Sequence, residues 1–170
     1  MGERWRNTAN LFGDKGYMLT YNVNKVMLDH NAAIPAEVTD EDLGRIVRLT
    51  QALFHESGRL SVKVGARLHR PARIADIAKL LGRSDRHTRD WLTQMEAHKM
   101  LTYAVVDGEE GYYLNPIYLR MGKWLSLVNW SVHIKELGGM VPEWAQREFM
   151  EQGKATGRNS LTVERGERNV

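Results

Sequence analysis

The sequence contains no cysteine. That excludes disulfides, thiolate metal sites and a cysteine nucleophile. It also lacks an apolar run of the roughly 18 residues that a membrane-spanning helix needs. Its first residues, MGERWRNTANLFGD, have no apolar segment of the secretory type. A cytoplasmic protein without a membrane partner is therefore expected. Catalytic signatures are missing as well. The six histidines (His30, His55, His69, His87, His98 and His133) are scattered and form no His-x-x-x-His pair, so no metal is expected. Gly13-Asp14-Lys15-Gly16 lacks the rest of a phosphate loop, and no Gly-x-Ser-x-Gly elbow is present. Tyr112, Tyr113 and Tyr118 could serve as nicking nucleophiles only beside a histidine-rich metal site. The expectation is a protein with no catalytic residues, no cofactor and no metal.

The sequence does have the material of an ordinary folded domain. Its 170 residues are 42% hydrophobic and 26% charged, enough for one real core. The net charge of +3 is modest but unevenly spread. Residues 59–103 carry ten Lys or Arg (Arg59, Lys63, Arg67, Arg70, Arg73, Lys79, Arg83, Arg86, Arg89, Lys99) against four acids, a surplus of six. Residues 1–58 come to −2, 104–152 to −3 and 153–170 to +2. A basic block inside an otherwise acidic chain is the electrostatic footprint of a duplex binder.

The block coincides with IADIAKLLGRSDRHTRDWLTQMEAHKMLTYAVVDGEEGYYL, residues 74–114. This stretch predicts a helix, a tight turn, a second helix and a β-hairpin. Gly82 follows the apolar pair Leu80-Leu81 and suits the left-handed end of a helix. Ser84 then caps the next helix. Thr88, Trp91, Leu92 and Met95 fall at i, i+3, i+4 and i+7, one buried stripe. Arg86, His87, Arg89, Asp90, Thr93 and Gln94 remain on the outer face. Such donor-rich side chains read base edges and phosphates in a major groove. Asp107-Gly108 between two β-rich runs is a hairpin turn signal. The two glutamates after it, Glu109 and Glu110, are unfavourable beside phosphate, so this wing is expected to pack the core or to meet DNA by its flank.

Around this centre the chain divides into four parts. Residues 1–38 read as a polar arm followed by a strand or small hairpin at 17–28, where Tyr17, Leu19, Tyr21 and Val23 alternate with polar residues. Thr39 to Asp42 supply a cap and a negative first turn for a helix running to Ser57-Gly58. Leu43, Ile46, Val47, Leu49, Leu53 and Phe54 form its apolar face. LSVKVGA (60–66) alternates as a strand, and RLHRP (67–71) reads as a connector. Residues 124–152 read as C-terminal helices, one over about 124–137 and one from Pro142 to about 152. Residues 153–170 have little to bury and read as a flexible tail.

At Tyr112-Tyr113-Leu114-Asn115-Pro116-Ile117-Tyr118, followed by Arg120, Met121 and Gly122, the sequence resembles winged-helix plasmid replication proteins of Gram-positive bacteria and related phage-borne DNA-binding proteins. The segment DEDLGRIVRLTQAL (40–53) is similar to a helix that precedes the winged helix in the phage proteins. The resemblance covers roughly residues 39–123. It implies binding to origin or operator DNA without chemistry.

The expected fold is α+β, mainly α. It comprises a winged helix-turn-helix over 39–123, with an N-terminal strand or hairpin and extra C-terminal helices. The expected partner is double-stranded DNA, met by recognition helix 84–98 in replication initiation or transcriptional regulation. Ser84, Arg86, His87, Arg89 and Gln94 are the candidate readers, and Arg73, Lys79 and Arg83 the candidate phosphate contacts. A homodimer suits such a domain, since two half-sites multiply affinity. The rival expectation is a protein-interaction module, in which Trp124, Trp130 and Trp144 dock a replication or transcription partner.

Overall fold

The computed structural model describes residues 5–6, 18–19, 26–28, 33–54, 57–66, 68–121, 126–137, 143, 147, 151 and 163–165. Those residues form an α+β fold. Strands β1 (Trp5–Arg6) and β2 (Met18–Leu19) pair antiparallel, with Trp5 opposite Leu19. Strand β3 (Val26–Leu28) pairs instead with β8 (Leu119–Met121), Val26 opposite Met121. The alternation at 17–28 thus becomes two strands with distant partners, rather than a hairpin closed on itself.

Helix α1 (Asp40–Leu49) starts where the acids predict. The Thr39 hydroxyl accepts from the Asp42 N–H at 3.2 Å, and the Asp42 carboxylate accepts from the Thr39 N–H at 3.2 Å, a reciprocal cap. The helix ends earlier than the expected Ser57-Gly58. The Thr50 hydroxyl donates to the Val47 carbonyl at 2.6 Å, drawing that acceptor out of the regular ladder. A 3₁₀ turn covers Thr50–Ala52, and Leu53 is already extended and bridged to Leu60. Val47 is exposed, so the apolar face is narrower than its spacing suggested.

The next segment is a β-hairpin. Strand β4 (Ser61–Lys63) pairs with β5 (His69–Pro71), Lys63 opposite His69. Residues 69–71, expected as connector, are therefore its second strand. Helices α2 (Ile74–Leu81) and α3 (Asp85–Ala97) follow, then β6 (Leu101–Val106) and β7 (Glu109–Leu114). The β6–β7 turn is Asp107-Gly108 alone, with φ of 52° and 80°. Both residues have the positive φ that a two-residue type I′ turn requires. Helices α4 (Leu127–Val132) and α5 (Ile134–Leu137) come next. Ser126 caps α4 by accepting from the Asn129 N–H at 3.1 Å, so that helix opens later than the expected Trp124. Glu143, Arg147 and Glu151 are helical and exposed; the rest of the predicted last helix lies outside the described residues. Strand β9 (Val163–Arg165) pairs with β6, so this part of the expected flexible tail is a strand in the sheet β7-β6-β9. The other tail residues lie outside the described set.

Neighbouring residues of a strand point to opposite faces, and both faces of this sheet are covered. On one face Leu101, Tyr112 and Leu114 join Ile46 and Leu49 of α1, Ile77 and Leu81 of α2, and Trp91, Leu92 and Met95 of α3 in the main core. On the other, Ala104, Val106 and Tyr113 pack with Val132 and Val128 of α4. Burial raises the Tyr113 pKa above the ordinary phenol value. Asn115, inside the Asn-Pro segment that carries the resemblance, has a structural task. Its side-chain amide donates to the Lys99 carbonyl at 2.8 Å, fixing the left-handed turn at Lys99 (φ 59°) between α3 and β6.

Candidate functional site

The candidate surface is built on α2, the turn after it and α3. Helix α2 closes with Gly82 at φ 67°. The Arg83 N–H donates to the Ala78 carbonyl at 3.0 Å and the Gly82 N–H to the Lys79 carbonyl at 3.3 Å. This pair of bonds satisfies carbonyls that the end of a helix leaves open, and only glycine takes that backbone without strain. Ser84 then caps α3, accepting from the His87 N–H at 3.4 Å.

The orientation of α3 is set from inside. Thr88, Trp91, Leu92 and Met95 are all buried, as their spacing predicts. The Trp91 indole N–H donates to Asp42 Oδ1 at 2.8 Å. Asp42 also accepts from the Thr39 hydroxyl at 2.7 Å and from Arg45 at 2.9 Å, and the Arg45 guanidinium lies 6.0 Å from the Trp91 ring centre. Burial would push the Asp42 carboxyl up. The hydrogen bonds from Thr39 and Trp91 and the Arg45 charge outweigh it and hold the pKa below the ordinary carboxylate value. The anchor joins α1 to α3, so α3 has little freedom to roll. Helical periodicity reveals neither this bond nor the carboxylate's partner, because the two residues lie 49 positions apart.

Opposite the anchor, Arg86, His87, Arg89, Asp90, Thr93 and Gln94 are exposed. At about 100° per residue, Arg86, Asp90 and Thr93 share the midline of this face, with Arg89 and Gln94 on either side. Ser84 and His87 are engaged with one another, Ser84 Oγ lying 3.0 Å from His87 Nδ1. The Thr93 hydroxyl donates to the Arg89 carbonyl at 3.0 Å. Helix α3 alone is not basic, since Asp85, Asp90 and Glu96 outnumber Arg86 and Arg89. Glu96 is turned inward and accepts from the Tyr103 N–H at 2.8 Å. The cations around α3 come from its neighbours: Arg73 and Lys79 are exposed at the two ends of α2, and Arg83 is half-buried in the turn.

Two arginines of the basic block are structural. Arg70 makes a forked pair with Asp76, at 2.6 and 2.9 Å, tying β5 to the first turn of α2. The Arg70 hydrogen bond, helped by the Arg73 N–H, outweighs burial and leaves the Asp76 pKa lowered. Arg59 pairs with Glu109 at 2.5 Å. Glu110 accepts from the Tyr103 hydroxyl. Both glutamates beside the β6–β7 turn are thus tied to neighbouring side chains. Among the described residues no group of His, Asp or Glu is arranged to hold a metal ion, and no helix is long and apolar enough to cross a membrane. Trp130 is buried in the fold; Trp124 and Trp144 lie outside the described residues. No protein-family model, curated protein or solved structure matches the chain.

Proposed function

We propose that the chain is a non-enzymatic, sequence-specific binder of double-stranded DNA, acting in replication initiation or transcriptional regulation. Its DNA-binding unit is a winged helix-turn-helix. The order of elements supports this reading. An anchored helix is followed by the β4–β5 hairpin, whose approach is bridged to the second wing strand at Arg59–Tyr113, then by two helices joined by a capped turn and by a second β-hairpin.

One observation carries the proposal. The polar face of α3 stands exposed while its opposite stripe is fixed by the core and by the Trp91–Asp42 bond. A rigid helix with a free donor-rich face suits a major groove, and Arg86 to Gln94 span about 12 Å along the axis at the standard helical rise. Arg86 and Arg89 are the base readers, each guanine contact contributing about 1–3 kcal/mol of discrimination. Asp90, on the midline, is a fitting acceptor for a cytosine amine. Arg73, Lys79 and Arg83 hold phosphates. Ser84 and His87 form one polar unit at the start of the helix, where its dipole also favours phosphate.

The experiment is selection of bound duplexes from a random pool. Enrichment of one short motif is the expected result, and a palindromic motif would indicate a dimer on two half-sites. A protein that enriches nothing and shifts no duplex at low salt, yet forms a stable oligomer, would be an interaction module instead.

A further inference from the structure

Between Glu56 and Asp76 the chain carries five cations and no acid. Most of that stretch is the β4–β5 hairpin, which the wing does not need for its own pairing. The hairpin is well braced. The Arg70–Asp76 fork ties it to α2, and the His69 ring lies 5.1 Å from that of Phe54. Its turn is closed by the Val64 N–H donating to the Leu68 carbonyl at 2.9 Å. Yet the turn presents apolar side chains outward: Val64 is 49% and Leu68 66% exposed. Lys63 beside them is exposed too.

Direction matters here. Arg59 bridges antiparallel to Tyr113, and the Leu60 N–H donates to the Tyr112 carbonyl at 2.7 Å. The chain entering β4 therefore heads towards the end of the sheet at which β6 and β7 turn. A cleft of about 490 Å³, lined by Arg70, Arg73, Tyr103 and Glu110 among others, separates the hairpin base from that turn. Two hairpin tips thus lie near one end of the molecule. One carries Asp107, Glu109 and Glu110; the other carries the exposed Lys63 beside Val64 and Leu68.

We propose that the β4–β5 hairpin, rather than the β6–β7 turn, makes the second duplex contact. Lys63 and Arg73 meet phosphates, and Val64 and Leu68 lie against the sugar walls of the minor groove beside the bases read by α3. Charge complementarity selects the occupant: a polyanion is attracted to this tip and repelled by its neighbour. Apolar side chains flanked by cations are also what minor-groove binders place against base steps. The inference rests on the α3 reading above.

The test uses the full chain and a labelled duplex carrying the motif recovered by selection. Four proteins are compared: wild type, Val64→Ser with Leu68→Ser, Lys63→Ala, and Arg86→Ala with Arg89→Ala. The tip variant should lose about tenfold in affinity with its sequence preference intact, and should lose minor-groove protection at one edge of the footprint. Lys63→Ala should lower the salt slope by about one. The inference is overturned if both hairpin variants keep wild-type affinity, salt slope and footprint while the α3 variant alone loses binding. It is equally overturned if the tip variant changes the sedimentation of the free protein, since the tip would then contact protein. Wild-type binding by the α3 variant would refute the α3 reading instead, which separates the two failures.

Discussion

The Trp91 indole N–H and the Asp42 carboxylate meet at 2.8 Å, and this bond holds the outer helix of the candidate site to the helix that opens the core. Asp42 also caps its own helix, so one carboxylate sets both the start of α1 and the pose of α3. Trp91→Phe keeps most of the ring and removes the donor. We expect a loss of about 2 kcal/mol in urea unfolding, the range for hydrogen bonds to a charged group. The Asp42→Asn variant in the same background should cost less than it does in wild type. Purely additive losses would mean that the two side chains are not coupled.

Thr88 offers the opposite sign. It is fully buried in the α3 stripe, and its hydroxyl has no hydrogen-bond partner among the described residues. Thr88→Val keeps the shape and removes the desolvated group. Stability should rise by about 1 kcal/mol, seen as a higher urea midpoint at unchanged slope. A lower midpoint would show that the hydroxyl is bonded in solution.

Acid should act through Asp42 and Asp76. Both have folded-state pKa values below their ordinary 3.8. The unfolded chain therefore takes up protons at these sites before the folded one does. Their contribution to stability is complete above about pH 4 and disappears as pH falls through the folded values. Unfolding midpoints measured from pH 6 downward should fall more steeply in wild type than in Asp42→Asn. Parallel curves would show that Asp42 carries none of the acid sensitivity.

Gly58 is the tightest glycine of the described fold. Its φ is 70°, and a Cβ there would lie 2.3 Å from Asn129 Nδ2 on α4. Gly58→Ala should cost more than about 2 kcal/mol, since it adds a clash to a left-handed backbone. Asn129→Ala in the same chain should recover the clash but not the backbone strain of about 1 kcal/mol. Gly108→Ala, where nothing lies within 4 Å, should show the backbone part alone.

Local signals in the sequence carried far. The Thr39 cap, the Gly82 turn, the Ser84 cap, the α3 stripe and the Asp107-Gly108 turn all lie where residue type and spacing place them, because each is decided within a few positions of the chain. Long-range pairings were hidden. Nothing local tells that Val26–Leu28 pairs with Leu119–Met121, or that Val163–Arg165 adds a strand to β6. The basic count over 59–103 also blurred two kinds of arginine. Arg59 and Arg70 are bound to Glu109 and Asp76, whereas Arg86 and Arg89 stand in the open. Only the fold separates a structural cation from one free to meet a ligand.

The face opposite the Trp91 anchor is the proposed DNA contact. Its most direct measurement is duplex affinity, at several salt concentrations, of the wild type and of Arg86→Ala with Arg89→Ala, on the selected motif and on a scrambled duplex. We expect the variant to lose most of its preference for the motif, about 1–3 kcal/mol for each arginine that reads a base, and to keep the weak salt-dependent binding to the scrambled duplex. Unchanged affinity and unchanged preference would contradict it.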